Sequence, residues 1–335
     1  MKENRPICVV ATCYAFLLYL IHHNIETIKK TFFVFDVLFP PNISKNVPNS
    51  YQFKKPGGNI LFRNISYRWQ IYKNLPKLDS HSVIYAQDHL LSSIIYLGKR
   101  DYIYIEDSAG KCAQFYNSAE GKKQVMESLT LSNRLRRFVY GPLYMKILAN
   151  NDQATSLLLT KDDTSSYLDG KKRMILPAID NNLWKSFPKE KQSIILDYFS
   201  VNEEVIAMLQ GGKILLLTQP LAENKWITTE EQLRIYRLIM RNYDESKVII
   251  KPHPRDSFID YKNNFPSSYV LTGSFPSELF SLFDAKFSKV VTAFSTGVYS
   301  FSGKVPIDWY GCINEKLKSE YGNVVPPPNA NLVKI

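Results

Sequence analysis

The sequence predicts an α/β fold, and three observations carry that prediction. Short β-branched or aromatic runs recur along the chain, separated by amphipathic segments of helix length. A Gly211-Gly212 stop divides this alternation into two successive runs. The segments richest in polar chemistry each fall just after a predicted strand, where open α/β sheets bind their ligands.

The elements follow in order. Residues 7–21 form a nearly unbroken apolar run behind Lys2 and Arg5. A strand over 7–11 leading into an apolar helix over 14–23 explains it, and a targeting or anchoring segment is the alternative. The run falls short of the roughly 18–20 residues that span a bilayer, and His22-His23 closes it with no small-residue cleavage site. Further strands are predicted at 31–35, 82–86, 102–105, 213–217, 247–250, 289–292 and 306–309. Helical patterns lie between them at 89–97, 229–242, 276–284 and 297–302. Such alternation makes parallel sheets covered on both faces. The helical segment 202–210 ends at the glycine pair, which sets two domains at 1–205 and 206–335.

The net charge of +11 calls for an anionic partner: nucleic acid, an acidic lipid surface or a phosphorylated sugar donor. The basic residues are spread, with a denser stretch at Lys122, Lys123, Arg134, Arg136, Arg137 and Lys146. A solvated basic face accounts for that stretch, and docking to a charged membrane or glycolipid surface is the alternative. No helix-turn-helix, zinc-finger or RNA-binding signature is present, so nucleic acid is not an expected partner. Four scattered cysteines without CxxC spacing speak against a zinc site and a disulfide framework, and suit a reducing compartment.

Three segments carry candidate chemistry. The first places Glu106-Asp107 after an apolar strand and before Ser108-Ala109-Gly110. A carboxylate beside a like charge makes a better general base, and the small residues leave room for a substrate hydroxyl. A helix N-cap explains the same Asp. The second is Lys251-Pro252-His253-Pro254-Arg255, in which the prolines hold Lys251 and His253 extended. A rigid turn with three cationic or protonatable groups suits a phosphate leaving group: His donates a proton and Arg grips with its planar fork. A solvent turn with an idle His is the plainer explanation. The third is Thr292-Ala293-Phe294-Ser295-Thr296-Gly297, where hydroxyls and unpaired amides at a helix start form an anion site or a simple cap. Thr218 and Gln219 follow the 213–217 strand and can line a ligand site. Pro276 opens a helix with Glu278 just inside it; that carboxylate can bind ribose hydroxyls or merely complement the helix dipole.

In this order and at these strand ends, the segments resemble the bacterial sialyltransferases of glycosyltransferase family 52, which include lipooligosaccharide sialyltransferases. Glu106-Asp107 is similar to the family's acidic pair, His253-Pro254 to its His-Pro motif and Ser295-Thr296 to its Ser-Ser/Thr motif. Ser108 stands where the family has glycine, and Gly110 follows two residues later. The resemblance implies a GT-B fold, two Rossmann-like domains facing a central cleft. It implies inverting, metal-independent transfer of sialic acid from CMP-sialic acid to a galactose-terminated glycan of the bacterial surface, lipooligosaccharide or capsule. Asp107 would be the base and His253 the partner of the departing phosphate, with Lys251, Arg255, Ser295 and Thr296 stabilising its charge. The first domain would serve the acceptor, with His89 a guess at acceptor choice, and the second the donor. A cytoplasmic location, peripheral contact with the inner face of the membrane and a homodimer are compatible with it. Two other functions fit the same scaffold: transfer of a different nucleotide-activated sugar, and non-catalytic binding of nucleotide or glycan.

Overall fold

The computed structural model describes residues 5–78, 81–108, 111–162, 168–256, 258–271, 275–313, 315–321 and 324–334. The chain forms two compact units: Met1–Ile179 with Lys185–Ser200, and Asp180–Trp184 with Val201–Ile335. Each is built on one parallel sheet.

The first unit contains β1 (Ile7–Val10), β2 (Phe32–Phe35), β3 (Ser50–Gln52), β4 (Ile84–Ala86), β5 (Tyr102–Ile105), β6 (Ala154–Leu159) and β7 (Lys172–Ile175). Their order is β3-β2-β1-β4-β5-β6-β7, so the connections reverse direction between β1 and β4. The central strands read as continuous apolar runs because both faces are covered: all of Ile7–Val10 is buried. The apolar N-terminal run therefore supplies an interior strand and the helix Cys13–His22, whose Leu17 and Leu18 are fully buried. Phe16 of that helix packs against Phe33, Phe35 and Phe39, and against Tyr198 and Phe199 from the returning segment. Lys191 fastens the same segment, since its ammonium donates to the carbonyls of Ile21 (2.8 Å) and His23 (2.7 Å) at the helix C-terminus. A second apolar layer on this sheet includes Tyr67, Tyr96, Tyr102, Tyr104 and Tyr116.

The second unit contains β8 (Lys213–Leu217), β9 (Val248–Lys251), β10 (Tyr269–Val270), β11 (Phe287–Thr292), β12 (Ile307–Trp309) and β13 (Ala330–Leu332). The order β10-β9-β8-β11-β12-β13 repeats the same design, with its switch between β8 and β11. The helix Thr229–Met240 starts at a capping box formed by Thr228 and Glu231. Two predicted elements are displaced for local reasons. A short 3-10 turn, Glu245–Lys247, capped by Asp244, removes Lys247 from β9, which runs instead to Lys251. The helix expected at 297–302 is a 3-10 helix, Thr296–Phe301. Among the described residues no helix is long and apolar enough to cross a membrane.

Candidate functional site

In the first unit the carboxyl ends of β1, β4 and β5 meet beside the switch point, where doubly wound sheets bind ligands. The acidic pair after β5 is divided between two tasks. Glu106 is 2% exposed and faces into the unit, accepting from the Tyr14 hydroxyl (2.7 Å), the Thr160 amide (2.7 Å) and the Thr160 hydroxyl (2.5 Å). Those bonds tie the first helix and the end of β6 to the end of β5. Asp107 stays partly open, with 18% of its side chain exposed. The Gln87 amide nitrogen donates to its Oδ1 at 3.0 Å, and His89 Nε2 lies 3.9 Å from the same oxygen.

Gln87 is itself fixed. Its Oε1 accepts from the backbone amides of Ala11 (2.6 Å) and Thr12 (3.3 Å), where β1 turns into the Cys13–His22 helix. With the carbonyl committed to those donors, the amide nitrogen must face Asp107. Sequence reasoning missed Gln87, although three consecutive polar residues after a strand, Gln87-Asp88-His89, were the available signal. The middle one is structural: buried Asp88 accepts from the amides of Leu148 (2.7 Å) and Ala149 (2.8 Å) and from the Tyr102 hydroxyl (2.5 Å). Those two amides belong to a left-handed turn, Leu148 φ 54 and Ala149 φ 63, and the carboxylate holds it closed.

In the second unit the ends of β8, β9 and β11 gather Thr218, Gln219, Lys251, His253, Arg255 and Ser295. Lys251 is the last residue of β9, and its carbonyl accepts from the Thr218 amide at 3.2 Å. The His253 amide donates to the Thr218 hydroxyl at 3.1 Å, and that hydroxyl donates to buried Asp256 at 2.8 Å. Asp256 also accepts from Tyr261 (2.6 Å) and Gln232 (3.1 Å). Burial pushes its carboxyl up to about 6 despite those donors. Asp256, Gln232 and Tyr261 carry the turn from beneath, and nothing in the local sequence marks them as its support.

The imidazole of His253 is oriented by its own turn. The Arg255 amide donates to Nδ1 at 3.2 Å, so the neutral ring carries its proton on Nε2. Burial first, then Arg255 and Lys251, lower its pKa to about 4, while Glu223 opposes them. At neutral pH His253 is therefore an uncharged hydrogen-bond donor set among cations.

The Gln219 side chain donates to the Phe294 carbonyl (3.4 Å), joining the loops after β8 and β11 next to Ser295. Ser295 precedes the 3-10 helix and makes no side-chain capping bond there. Its amide is held by the Thr292 hydroxyl at 3.0 Å. The side chain of Thr296 and residues Ala109 and Gly110 lie outside the described set. Pro276 is buried before the helix Glu278–Leu282, and Ser277 donates to Glu278 at 3.3 Å. Asp107 and His253 belong to separate units, and each is placed by its own sheet.

Two Rossmann-type units, each with polar residues at its switch point, place the chain in the GT-B class of α/β folds. The GT-B domain of the Photobacterium damselae sialyltransferase matches with a TM-score of 0.55 at 12% identity, covering 98% of this chain and 99% of that one. A 2,6-sialyltransferase from a Photobacterium species, solved with CMP and lactose, matches with a TM-score of 0.58 at 12% identity, over 98% of this chain and 78% of that one. At these identities the likeness is one of fold.

The chain belongs to glycosyltransferase family 52, whose sequence model matches residues 49–308. An uncharacterised protein of Haemophilus influenzae is 30% identical over 265 residues, covering 79% of each chain. The protein is thus a glycosyltransferase of GT-B fold.

Proposed function

We propose that this glycosyltransferase moves sialic acid from CMP-sialic acid to a galactose-type hydroxyl of a bacterial surface glycan, lipooligosaccharide or capsule. The transfer is inverting and needs no metal. The observation that carries this reading is the His253 turn. A neutral Nε2–H donor flanked by Lys251 and Arg255 matches a single phosphate that gains charge as it leaves. Family membership and a fold shared with a sialyltransferase solved with CMP and lactose support the same donor and acceptor classes.

In this mechanism Asp107 takes the proton of the acceptor hydroxyl as its oxygen attacks the anomeric carbon of sialic acid. The bond from that carbon to the phosphate oxygen breaks, and its electron pair leaves with CMP. His253 donates a hydrogen bond to the departing phosphate. Lys251, Arg255, Ser295 and Thr296 offset its charge, while Thr218, Gln219, Pro276 and Glu278 hold the nucleotide. The reading places the enzyme in the cytoplasm.

The test is a donor screen that follows release of CMP against UDP in the presence of lactose-type acceptors. Acceptor-dependent CMP release supports the reading. Consumption of a UDP-sugar in place of CMP-sialic acid rejects it.

A further inference from the structure

The stretch 37–78 of the first unit holds seven basic residues and no acidic one, so it supplies most of the chain's net charge of +11. The cations of the His253 turn lie in the other unit and account for none of it. Part of this charge stands on the same edge of the sheet as Asp107. Strands β5, β4, β1, β2 and β3 are neighbours in that order and all run parallel, so the residues that follow them form one row. At a strand spacing of about 4.8 Å the row leads from Asp107 after β5 to Lys54 and Lys55 after β3 over roughly 19 Å. Two loops of the row are firmly built. After β2, Asp36 accepts from the Leu38 amide (3.0 Å) and the Ser92 hydroxyl, and Gln52 donates to the carbonyls of Asp36 (3.3 Å) and Phe39 (2.5 Å). The loop held in this way buries Phe39 and leaves Leu38 68% exposed. After β3, Gln70 of the helix Ile60–Asn74 clamps the backbone of Lys54: its Oε1 accepts from the Lys54 amide (2.8 Å) and its Nε2 donates to the Lys54 carbonyl (3.1 Å). Both Lys54 and Lys55 are exposed. Fixed loop backbone with exposed side chains, at the edge where such sheets bind ligands, is the arrangement of a binding surface.

We propose that this row is an extended acceptor subsite for an acidic oligosaccharide, an inference that rests on the sialyl-transfer reading. With the terminal galactose at Asp107, the inner sugars of the glycan run over Thr12 and Leu38. An acidic group on those sugars, a phosphate or a carboxylate, pairs with Lys54 and Lys55. Leu38 meets the apolar C–H face of a sugar ring while the ring hydroxyls stay in water. The lysines stand at the solvent-exposed end of the row, so their charge selects among acceptors more than it adds raw affinity. Lactose is too short for this part of the row, because Leu38 follows a strand about 14 Å from Asp107.

Initial rates with three acceptors test the subsite: lactose, a neutral galactose-terminated tetrasaccharide, and the aldonic acid of that tetrasaccharide, whose carboxylate lies at the end remote from the galactose. With the parent chain, kcat/KM for the acid should exceed that for the neutral tetrasaccharide about fivefold, and the preference should fade as salt rises. Lys54→Glu/Lys55→Glu, with an unchanged melting temperature, should invert that preference through KM. Leu38→Ser should lower kcat/KM for both tetrasaccharides relative to lactose by about threefold or more. Equal kcat/KM for the acid and the neutral tetrasaccharide in the parent chain overturns the proposal. So does a preference for the acid that the double lysine variant leaves unaltered. Failure to sialylate any acceptor, lactose included, rejects sialyl transfer itself and the subsite with it, whereas transfer to all three without regard to charge rejects the subsite alone.

Discussion

The Arg255 amide donates to Nδ1 of His253 at 3.2 Å, and this bond decides which nitrogen of the ring carries the proton. With Nδ1 occupied and the pKa lowered to about 4, the ring offers Nε2–H as a neutral donor at pH 7. A phosphate bound there would raise that pKa, so at pH below the raised value CMP binding is expected to take up a proton. Affinity then strengthens as pH falls toward 4 and is insensitive to pH above the pKa of the complex. Calorimetry in buffers of different ionisation enthalpy should show this uptake, and His253→Gln should abolish it.

Replacing the proposed base Asp107 should remove chemistry and leave binding. Asp107→Asn should lower kcat by about 10²–10⁴-fold with CMP affinity within twofold or so of the parent. Glu106→Gln should act differently, because Glu106 is a buried acceptor of three hydrogen bonds. Its loss should destabilise the first unit by about 1–3 kcal/mol, read as a lower melting temperature.

Gln87 is a positioning residue in this account. Gln87→Ala frees Asp107 Oδ1 and leaves the Ala11 and Thr12 amides without their acceptor. A fall in kcat of about tenfold with KM for the donor little changed is expected. Gln87→Glu should be worse, since a carboxylate would face Asp107.

The strand ends that carry the polar residues were legible in the sequence, because apolar strands and the polar residues after them follow fixed periodicities. Strands β3, β6, β7, β10 and β13 were not. All but β6 are sheet edges, where residues such as Ser50, Lys172, Arg173 and Asn331 have no need of an apolar pattern. The acidic pair was visible, but its division of labour was not. Only the fold shows that Tyr14 and Thr160, far away in sequence, claim Glu106 and leave Asp107 to Gln87. Asp256 was equally hidden, since its partners Gln232 and Tyr261 come from a helix before it and a short helix after it.

Asp256 gives a stability test with a definite sign. Its folded pKa is about 6 against an ordinary 3.8, so the folded state binds the extra proton between those values. Its contribution to stability is complete below about pH 4 and is lost as pH rises through 6, by up to about 3 kcal/mol. Asp256→Asn should therefore destabilise most near pH 4 and least above pH 7. Denaturant titrations at the two pH values compare them directly.

The central claim is that Asp107 and His253 together perform sialyl transfer. Incubation with CMP-sialic acid and lactose, followed by mass spectrometry, tests it most directly, with Asp107→Asn and His253→Ala alongside. The account predicts lactose carrying one added sialic acid with the parent chain, and a loss of about 10²-fold or more with either variant. CMP-sialic acid bound but never transferred, or both variants as active as the parent, would contradict it.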